Sequence, residues 1–207
     1  MCIRDSTTSV FRDPSAWMNV VVVYNTADST TANKSKIYVN GVQQPVTTSV
    51  TGSAVTTHRL LDNGVVNTIG KSFNSSYYFG GYLAELHVVD GVSGIDYNDF
   101  GETKEGVWVA KQYLGGHGNN GFYLTFQGTG TATTSNGTTA QTNIGDDQSG
   151  VGNNFGVSGL VSSDVVPDSP TNNFCTLNST AGNGDSISEC NLKGEGDSGS
   201  AKFQGFT

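Results

Sequence analysis

The stretch YFGGYLAELHVVDG at residues 78–91 constrains the fold more than any other part of the chain. A Gly-Gly pair lies near its start, an Asp-Gly pair closes it, and apolar and polar side chains alternate between them. This pattern indicates a β-strand that bends at its start, buries one face and ends in a turn. The alternation predicts three core-facing side chains, Ala84, Leu86 and Val88, and two solvent-facing ones, Glu85 and His87.

Composition supports an all-β fold around that strand. Only 14% of the 207 residues are charged and 28 are glycine, which suits short strands joined by many turns. The net charge of −8 argues against a nucleic-acid partner, because phosphate binding needs clustered Lys and Arg. No apolar run approaches the length of a membrane span, so we also expect no membrane insertion.

Three further segments predict strands. Residues 15–24 contain a nearly continuous apolar run, which indicates a central strand buried on both faces. Residues 36–44 form a predicted hairpin, because Asn40 and Gly41 both tolerate the positive φ of a type I′ turn. Residues 67–73, NTIGKSF, predict the next strand.

The order of these elements resembles that of laminin-G-like domains of the concanavalin A-like lectin/glucanase superfamily. The resemblance rests on a Trp-led strand, then KIYVNG, then NTIGKSF, then GYLAEL. It implies a jelly-roll β-sandwich over residues 7–126, in which the 78–91 strand crosses between sheets. This part is expected to be incomplete at its N-terminal end.

Later motifs are similar to those of tail and other virion proteins of marine bacteriophages. They are DFGE, GVWVAKQY and GHGNNGFYLTF within residues 99–126, and DSPTNNFCTL at residues 168–177. The resemblance implies localisation in the phage particle. Residues 127–145 are poor in large apolar side chains and predict a linker rich in Gly, Thr and Ser. Residues 146–207 predict the start of a second β-rich, SPRY-like module that is cut short.

Residues 1–6, MCIRDS, are what a transposon-end sequencing adapter encodes. We therefore expect them to be an artefact of metagenomic assembly, with the opening strands of the sandwich missing. Cys2 then carries no information. Cys175 and Cys190 fit no zinc pattern, and we expect them to be unpaired thiols.

The carboxylates do not predict an enzyme. Concanavalin-fold glucanases place alternate carboxylates of an E-x-D-x-x-E strand around one sugar ring. Glu85 and Asp90 come nearest to this pattern, but their spacing puts them on opposite faces of a strand. Glu195 and Asp197 have a short spacing, yet they lie in Gly-rich sequence with no third acid. We expect no catalytic residues.

Metal ligands are equally sparse. The three histidines, His58, His87 and His117, are isolated in sequence, and His87 is predicted to be an ordinary surface residue. Acidic turns offer weak Ca²⁺ candidates through their carboxylate oxygens. These candidates are Asp62, Asp90 and Asp146. Asp commonly forms turns, which is a simpler explanation for these residues than Ca²⁺ binding. No other cofactor is expected.

Aromatic residues near predicted strand ends are the remaining clue to function. They are Tyr77, Tyr78, Trp108 and Tyr113. Flat rings stack on sugars, although aromatic side chains also fill sandwich cores. Together with the resemblances, they predict a non-catalytic carbohydrate- or surface-binding module of a phage tail protein, acting in host-surface recognition. Its expected partners are a cell-surface glycan or other virion proteins, within an oligomeric tail structure.

Two alternatives stay open. The first is a purely structural tail or decoration domain with no specific ligand. The second is an accessory domain of a polysaccharide depolymerase whose catalytic part lies outside this sequence.

Overall fold

The structure is a computed structural model. It describes residues 5–12, 16–25, 27–30, 33–48, 66–72, 77–133, 142–170, 186–188 and 193–195. Contacts divide the chain into two compact units. The first unit comprises Met1–Phe79 and Val92–Gly115, and the second comprises Gly80–Gly91 and Gly116–Thr207.

The regular elements of the described residues are eleven short β-strands and single turns of 3-10 helix. The strands of the first unit are β1 (Asp5–Thr7), β2 (Val20–Tyr24), β3 (Ser35–Val39), β4 (Val42–Gln44), β5 (Val46–Thr48), β7 (Gly101–Lys104) and β8 (Val107–Ala110). Those of the second unit are β6 (Leu86–Val88), β9 (Phe122–Leu124), β10 (Ser186–Ser188) and β11 (Lys193–Glu195).

All pairings between these strands are antiparallel. This confirms the predicted all-β class, and it is consistent with part of a concanavalin-like β-sandwich. No helix in the described part of the chain is long and apolar enough to cross a membrane.

The largest sheet of the first unit has the order β2-β3-β4. The turn between β3 and β4 has φ values of 48° at Asn40 and 75° at Gly41. Positive φ at both central residues defines the predicted type I′ turn, whose twist matches that of the two strands. The hairpin prediction is therefore confirmed.

The prediction that β2 is a central strand buried on both faces is wrong. Within the described residues β2 pairs only with β3, which places it at the edge of the sheet. Val20 and Val22 are 56% and 62% exposed, whereas Val21 and Val23 are half-buried. Exposed and half-buried positions alternate along β2, as in any strand with one buried face. The sequence does not show this alternation, because residues 20–23 are all valine.

A second hairpin of the first unit joins β7 to β8. Its turn residues, Glu105 and Gly106, have φ values of 50° and 82°. A single 3-10 turn, Tyr97–Asp99, precedes β7. Asp96 caps it by accepting a hydrogen bond from the Asn98 amide at 2.8 Å.

Near the start of the chain, β1 pairs with β5. Asp5 and Ser6, two of the residues expected to derive from a sequencing adapter, lie in β1.

The second unit is built on the pairing of β6 with β9, in which His87 lies opposite Tyr123. Its core includes four side chains that are at most 6% exposed, Phe122, Leu124, Ile144 and Val157. Residues 143–145, at the end of the predicted linker, are buried in this unit. Further along the chain, β10 pairs antiparallel with β11.

The strand predicted within residues 78–91 is shorter than its sequence indicates. Only Leu86–Val88 is regular strand. Glu85 has a φ of 54°, in the left-handed region, so the alternation of faces cannot continue through it. Glu85 is exposed as predicted, but His87 is half-buried, and its predicted place on the solvent face is wrong.

Candidate functional site

A short ribbon of the first unit presents three consecutive aromatic residues. Residues 70–72 run antiparallel to residues 77–79, with a β-bridge between Lys71 and Tyr78. Two backbone hydrogen bonds, of 2.8 and 3.0 Å, flank the bridge. We call residues 70–72 and 77–79 the aromatic ribbon. The three aromatic side chains therefore project from a hydrogen-bonded backbone.

The rings of the aromatic ribbon lie largely in solvent. Tyr77, Tyr78 and Phe79 are 79%, 71% and 57% exposed. Fully burying a large apolar side chain contributes about 1.5–3 kcal/mol. A ligand that covered these rings would therefore gain favourable binding free energy. Neighbouring exposed apolar side chains are typical of interaction surfaces.

One positive charge accompanies the rings. The Lys71 ammonium lies over the Tyr78 ring, 5.7 Å from its centroid, within the range of a cation–π contact. Lys71 is also the only charged residue between positions 63 and 84. The aromatic ribbon therefore combines flat apolar faces and phenol hydroxyls with an ammonium group, in a chain that is acidic as a whole.

Trp108 occupies a different environment. Its ring lies against Gly41 and Gly101, so that a Cβ atom at either position would overlap the indole. The indole Nε1 donates to the Asn19 side-chain oxygen at 3.1 Å. The ring is tilted against Tyr97 at a centroid distance of 5.6 Å. These contacts hold Trp108, half-buried, between the β3–β4 hairpin and the β7–β8 hairpin.

Tyr113 is also half-buried. Its ring stacks on Phe100 with the centroids 4.9 Å apart. Burial, aided by the negative charge of Asp99, raises the pKa of the Tyr113 phenol. Thus two of the four predicted ligand-binding aromatics lie on the exposed ribbon, and the other two make packing contacts inside the first unit.

The predicted calcium ligands are not brought together in the described residues, where no group of three or more His, Cys, Asp or Glu could hold a metal. Asp62 lies outside the described residues. Asp90 accepts a hydrogen bond from the Asn120 side chain at 2.7 Å. Calcium binding at these positions stays a prediction.

The Asp146 carboxylate is hydrogen-bonded to neighbouring residues of the chain. It is buried and accepts bonds from the Thr142 amide, the Thr142 hydroxyl and the Asn143 amide at 2.9, 3.0 and 2.8 Å. Burial alone would raise the pKa of Asp146, but hydrogen bonds from Asn143 and Thr142 outweigh it and lower the pKa. A cation would have to compete with these donors.

Among the described residues of the second unit, Asp147 is the most deeply buried carboxylate, at 1% exposure. One oxygen accepts from the amides of Tyr123 and Ser149, both at 2.8 Å. The other accepts from the Ser149 hydroxyl at 2.8 Å, the Gly152 amide at 3.0 Å and the Asn153 amide at 2.9 Å. Five donors satisfy the carboxylate, so Asp147 joins the 147–153 loop to β9.

The structure brings together two of the histidines that are isolated in sequence, His87 and His117; His58 lies outside the described residues. The His87 Nδ1 and His117 Nε2 atoms are 3.1 Å apart. The Tyr123 ring stacks on His87 at a centroid distance of 4.0 Å and an angle of 7°. We call His87 and His117 the histidine pair.

Charge is disfavoured on the histidine pair. Burial, followed by the neighbouring His117, lowers the pKa of His87 to about 4. Burial also lowers the pKa of His117, with the negative charge of Asp147 acting in the opposite direction. Sequence reasoning missed the pair because the two residues are 30 positions apart. The antiparallel pairing of β6 with β9 brings the two histidines together, and the spacing of residues in the sequence does not reveal that pairing.

The two acids that come nearest to a glucanase motif have separate partners. The Tyr123 hydroxyl donates to the Glu85 carboxylate. Burial and then this hydrogen bond raise the pKa of the Tyr123 phenol. Asp90, by contrast, is bonded to Asn120.

One comparison with known proteins bears on this arrangement. Residues 4–93 match the family model of the concanavalin A-like lectin/glucanases superfamily, in its laminin-G form. The predicted domain resemblance is confirmed for these residues. The match covers less than half of the chain and includes the aromatic ribbon. No curated protein and no solved structure gave a match. The resemblance to phage virion proteins stays a prediction.

Proposed function

We propose that this chain carries a non-catalytic carbohydrate-binding module and that the aromatic ribbon is its binding surface. The observation that carries the proposal is the exposure of Tyr77, Tyr78 and Phe79 on a hydrogen-bonded ribbon. The superfamily match supports it, because domains of this superfamily often bind carbohydrate.

The chemistry of the ribbon suits a sugar. A pyranose ring has an apolar face of C–H groups that packs on an aromatic ring, and hydroxyls at its rim that need hydrogen-bond partners. Tyr77 and Tyr78 offer both a ring and a hydroxyl. Lys71 adds three ammonium donors beside Tyr78. A rigid scaffold that presents such groups loses little conformational entropy on binding.

Hydrolysis is not part of the proposal. A retaining glycosidase needs two carboxyl groups about 5–5.5 Å apart, flanking one glycosidic bond. Glu85 and Asp90 instead bond to Tyr123 and Asn120. We expect no release of reducing ends from any polysaccharide that the chain binds. Activity abolished by Glu85→Gln would overturn this part of the proposal.

The proposed setting is a phage virion, in which the module recognises a glycan on the host surface. The motifs within residues 99–126 and 168–177 support this setting. A purely structural role remains the rival, and binding measurements separate the two. A structural spacer should bind no polysaccharide through its exposed aromatic residues.

Affinity electrophoresis of the full chain in gels containing neutral or acidic polysaccharides tests the site. We expect retardation by at least one polysaccharide, and a loss of affinity of about tenfold in Tyr77→Ala or Tyr78→Ala, equivalent to about 1.4 kcal/mol. Phe11→Ala is a matched control, because Phe11 is another exposed aromatic residue of the first unit. Undiminished retardation in both tyrosine variants would show that the aromatic ribbon is not the site.

A further inference from the structure

The histidine pair connects two segments of the second unit. His87 lies in β6, and His117 lies in the segment that leads into β9. The Asp90 amide donates to the His117 carbonyl at 3.0 Å, next to the side-chain contact. A Cβ atom at Gly121 would overlap the same carbonyl, so the backbone is closely packed around it. The contact between the imidazoles is thus part of what holds residues 117–121 against β6.

The two rings lie end to end in nearly one plane. Their facing nitrogens are 3.1 Å apart, their centroids are 5.4 Å apart, and their planes differ by 17°. The centroid distance is about the nitrogen–nitrogen distance plus the two distances from nitrogen to centroid, so the nitrogens point at each other. This is the geometry of one N–H donating to one bare nitrogen.

That alignment is unsuited to a metal ion. Two imidazoles that share a metal direct both lone pairs at a third point, about 2.0–2.1 Å from each nitrogen. Here the lone-pair directions meet between the rings. The described residues also offer no third His, Cys, Asp or Glu to complete a metal site.

The surroundings decide how much charge the pair can carry. The Tyr123 ring lies parallel to both imidazoles, with centroids 4.0 Å from His87 and 6.2 Å from His117. His117 is 6% exposed. Three carboxylates lie nearby: Glu85, bonded to the Tyr123 hydroxyl; Asp90, bonded to Asn120; and Asp147, which acts on His117. Of these, the negative charge of Asp147 favours a positive charge on His117, which burial opposes.

Proton counting gives the behaviour of the pair in acid. In the uncharged pair, one of the facing nitrogens carries hydrogen and the other is bare. A first added proton can bind a nitrogen on the far side of a ring, which leaves the hydrogen bond between the rings intact. A second proton must bind the remaining bare facing nitrogen. Two N–H groups and two positive charges then oppose each other.

We propose that the histidine pair is a pH-sensitive switch: its hydrogen bond survives the first proton and is broken by the second, which releases residues 117–121 from β6 in acid. Tyr123 stays with β9, where Asp147 holds its amide, so the release is local. This inference does not depend on the carbohydrate-binding proposal.

Nuclear magnetic resonance of the ¹⁵N-labelled full chain tests the switch without any substitution. Long-range ¹H–¹⁵N spectra report the protonation of each imidazole, and hydrogen exchange reports the Asp90 amide. We expect Asp90 protection, corrected for the intrinsic exchange rate, to persist through the first protonation. It should fall at least about tenfold with the second, as the pH falls through about 4.

Three results would overturn the switch. The first is loss of Asp90 protection with the first proton. The second is independent titration of both histidines near an ordinary pKa of about 6.5. The third is simultaneous loss of protection at all amides of the second unit. In His87→Asn, the side-chain amide lies near the position of the His87 Nδ1 atom; it can donate to neutral His117 or accept from protonated His117, and it takes up no proton, so the acid-dependent loss should disappear. His58→Gln is the control and should behave like the parent chain.

Discussion

Trp108 is the residue around which two glycines of the first unit are arranged. Its indole occupies the space where Gly41 and Gly101 would carry a side chain. Gly41 needs its positive φ for the β3–β4 turn, but Gly101 has no such backbone requirement. At Gly101, therefore, only the close approach of the ring explains the glycine.

Gly101→Ala should destabilise the chain by about 1–3 kcal/mol, the usual cost of adding a methyl group to a packed site. The measurement is the denaturant midpoint, with the slope of the transition unchanged. Gly80→Ala is the matched control, because a Cβ atom there meets nothing within 4 Å. Equal stability of the two variants would contradict the packing described for Trp108.

At the scale of elements, turn chemistry decided which hairpins could be predicted. The Asn40-Gly41 pair predicts a type I′ turn, because both residue types readily adopt positive φ. Glu105-Gly106 makes the same kind of turn, yet Glu rarely adopts a left-handed conformation and gives no such signal. Glu85 also has a positive φ that its residue type does not signal, so the strand predicted within residues 78–91 is longer than the observed one.

Side-chain partners across strands were harder to predict than the strands themselves. The exposed Tyr77 and Tyr78 were found from their place near a strand end. The histidine pair depends on the register of β6 against β9, which the pattern of apolar residues does not specify across a separation of 30 residues. The edge position of β2 likewise depends on which strands pair, and a run of valines does not encode that.

The 147–153 loop provides a test at the same scale. Asp147→Ala removes the acceptor of five hydrogen bonds and should cost about 3–5 kcal/mol in denaturant unfolding. Asp147→Asn keeps one acceptor oxygen and should cost less. Asp164→Ala is the control: Asp164 is exposed and accepts a single described bond, from Val161, so about 1 kcal/mol is expected. A loss of that size in Asp147→Ala would refute the anchoring role.

The Asp147 carboxylate also makes the stability of the folded chain depend on pH in acid. Burial alone would raise the pKa of Asp147, but the donors from Tyr123, Ser149 and Asn153 lower it below the ordinary value of 3.8. A carboxyl group with a lowered pKa contributes stability above the unfolded value and loses it as the pH falls through the folded one. The parent chain should therefore lose more stability below about pH 4 than Asp147→Asn does.

The histidines act at higher pH and in the same direction. His87 has a pKa of about 4 in the folded chain, below the ordinary 6.5, so the unfolded chain binds more protons between these values. Its contribution is fully present above about pH 6.5 and declines as the pH falls toward about 4. Because the ring is partly exposed, we expect a loss of only about 1 kcal/mol. Thermal melts of His87→Gln should lack this decline, and an unchanged decline would assign it to other groups.

For the whole molecule, composition was sufficient to predict the all-β class. Few charges, many glycines and abundant Ser, Thr and Asn leave short strands and turns as the main structure. The division into two units was not evident, because the 80–91 segment belongs with residues 116–207 although it continues directly from the first unit. Such a division depends on long-range contacts that no local pattern records.

The measurement that most directly tests the proposed function is a ligand titration followed at every backbone amide. The ¹⁵N-labelled full chain is titrated with oligosaccharides cut from whichever polysaccharide retards it. We expect the largest shift changes at residues 70–72 and 77–79, with small changes around Trp108, Tyr113 and the histidine pair. Saturable binding whose largest changes lie outside the aromatic ribbon would contradict the proposal.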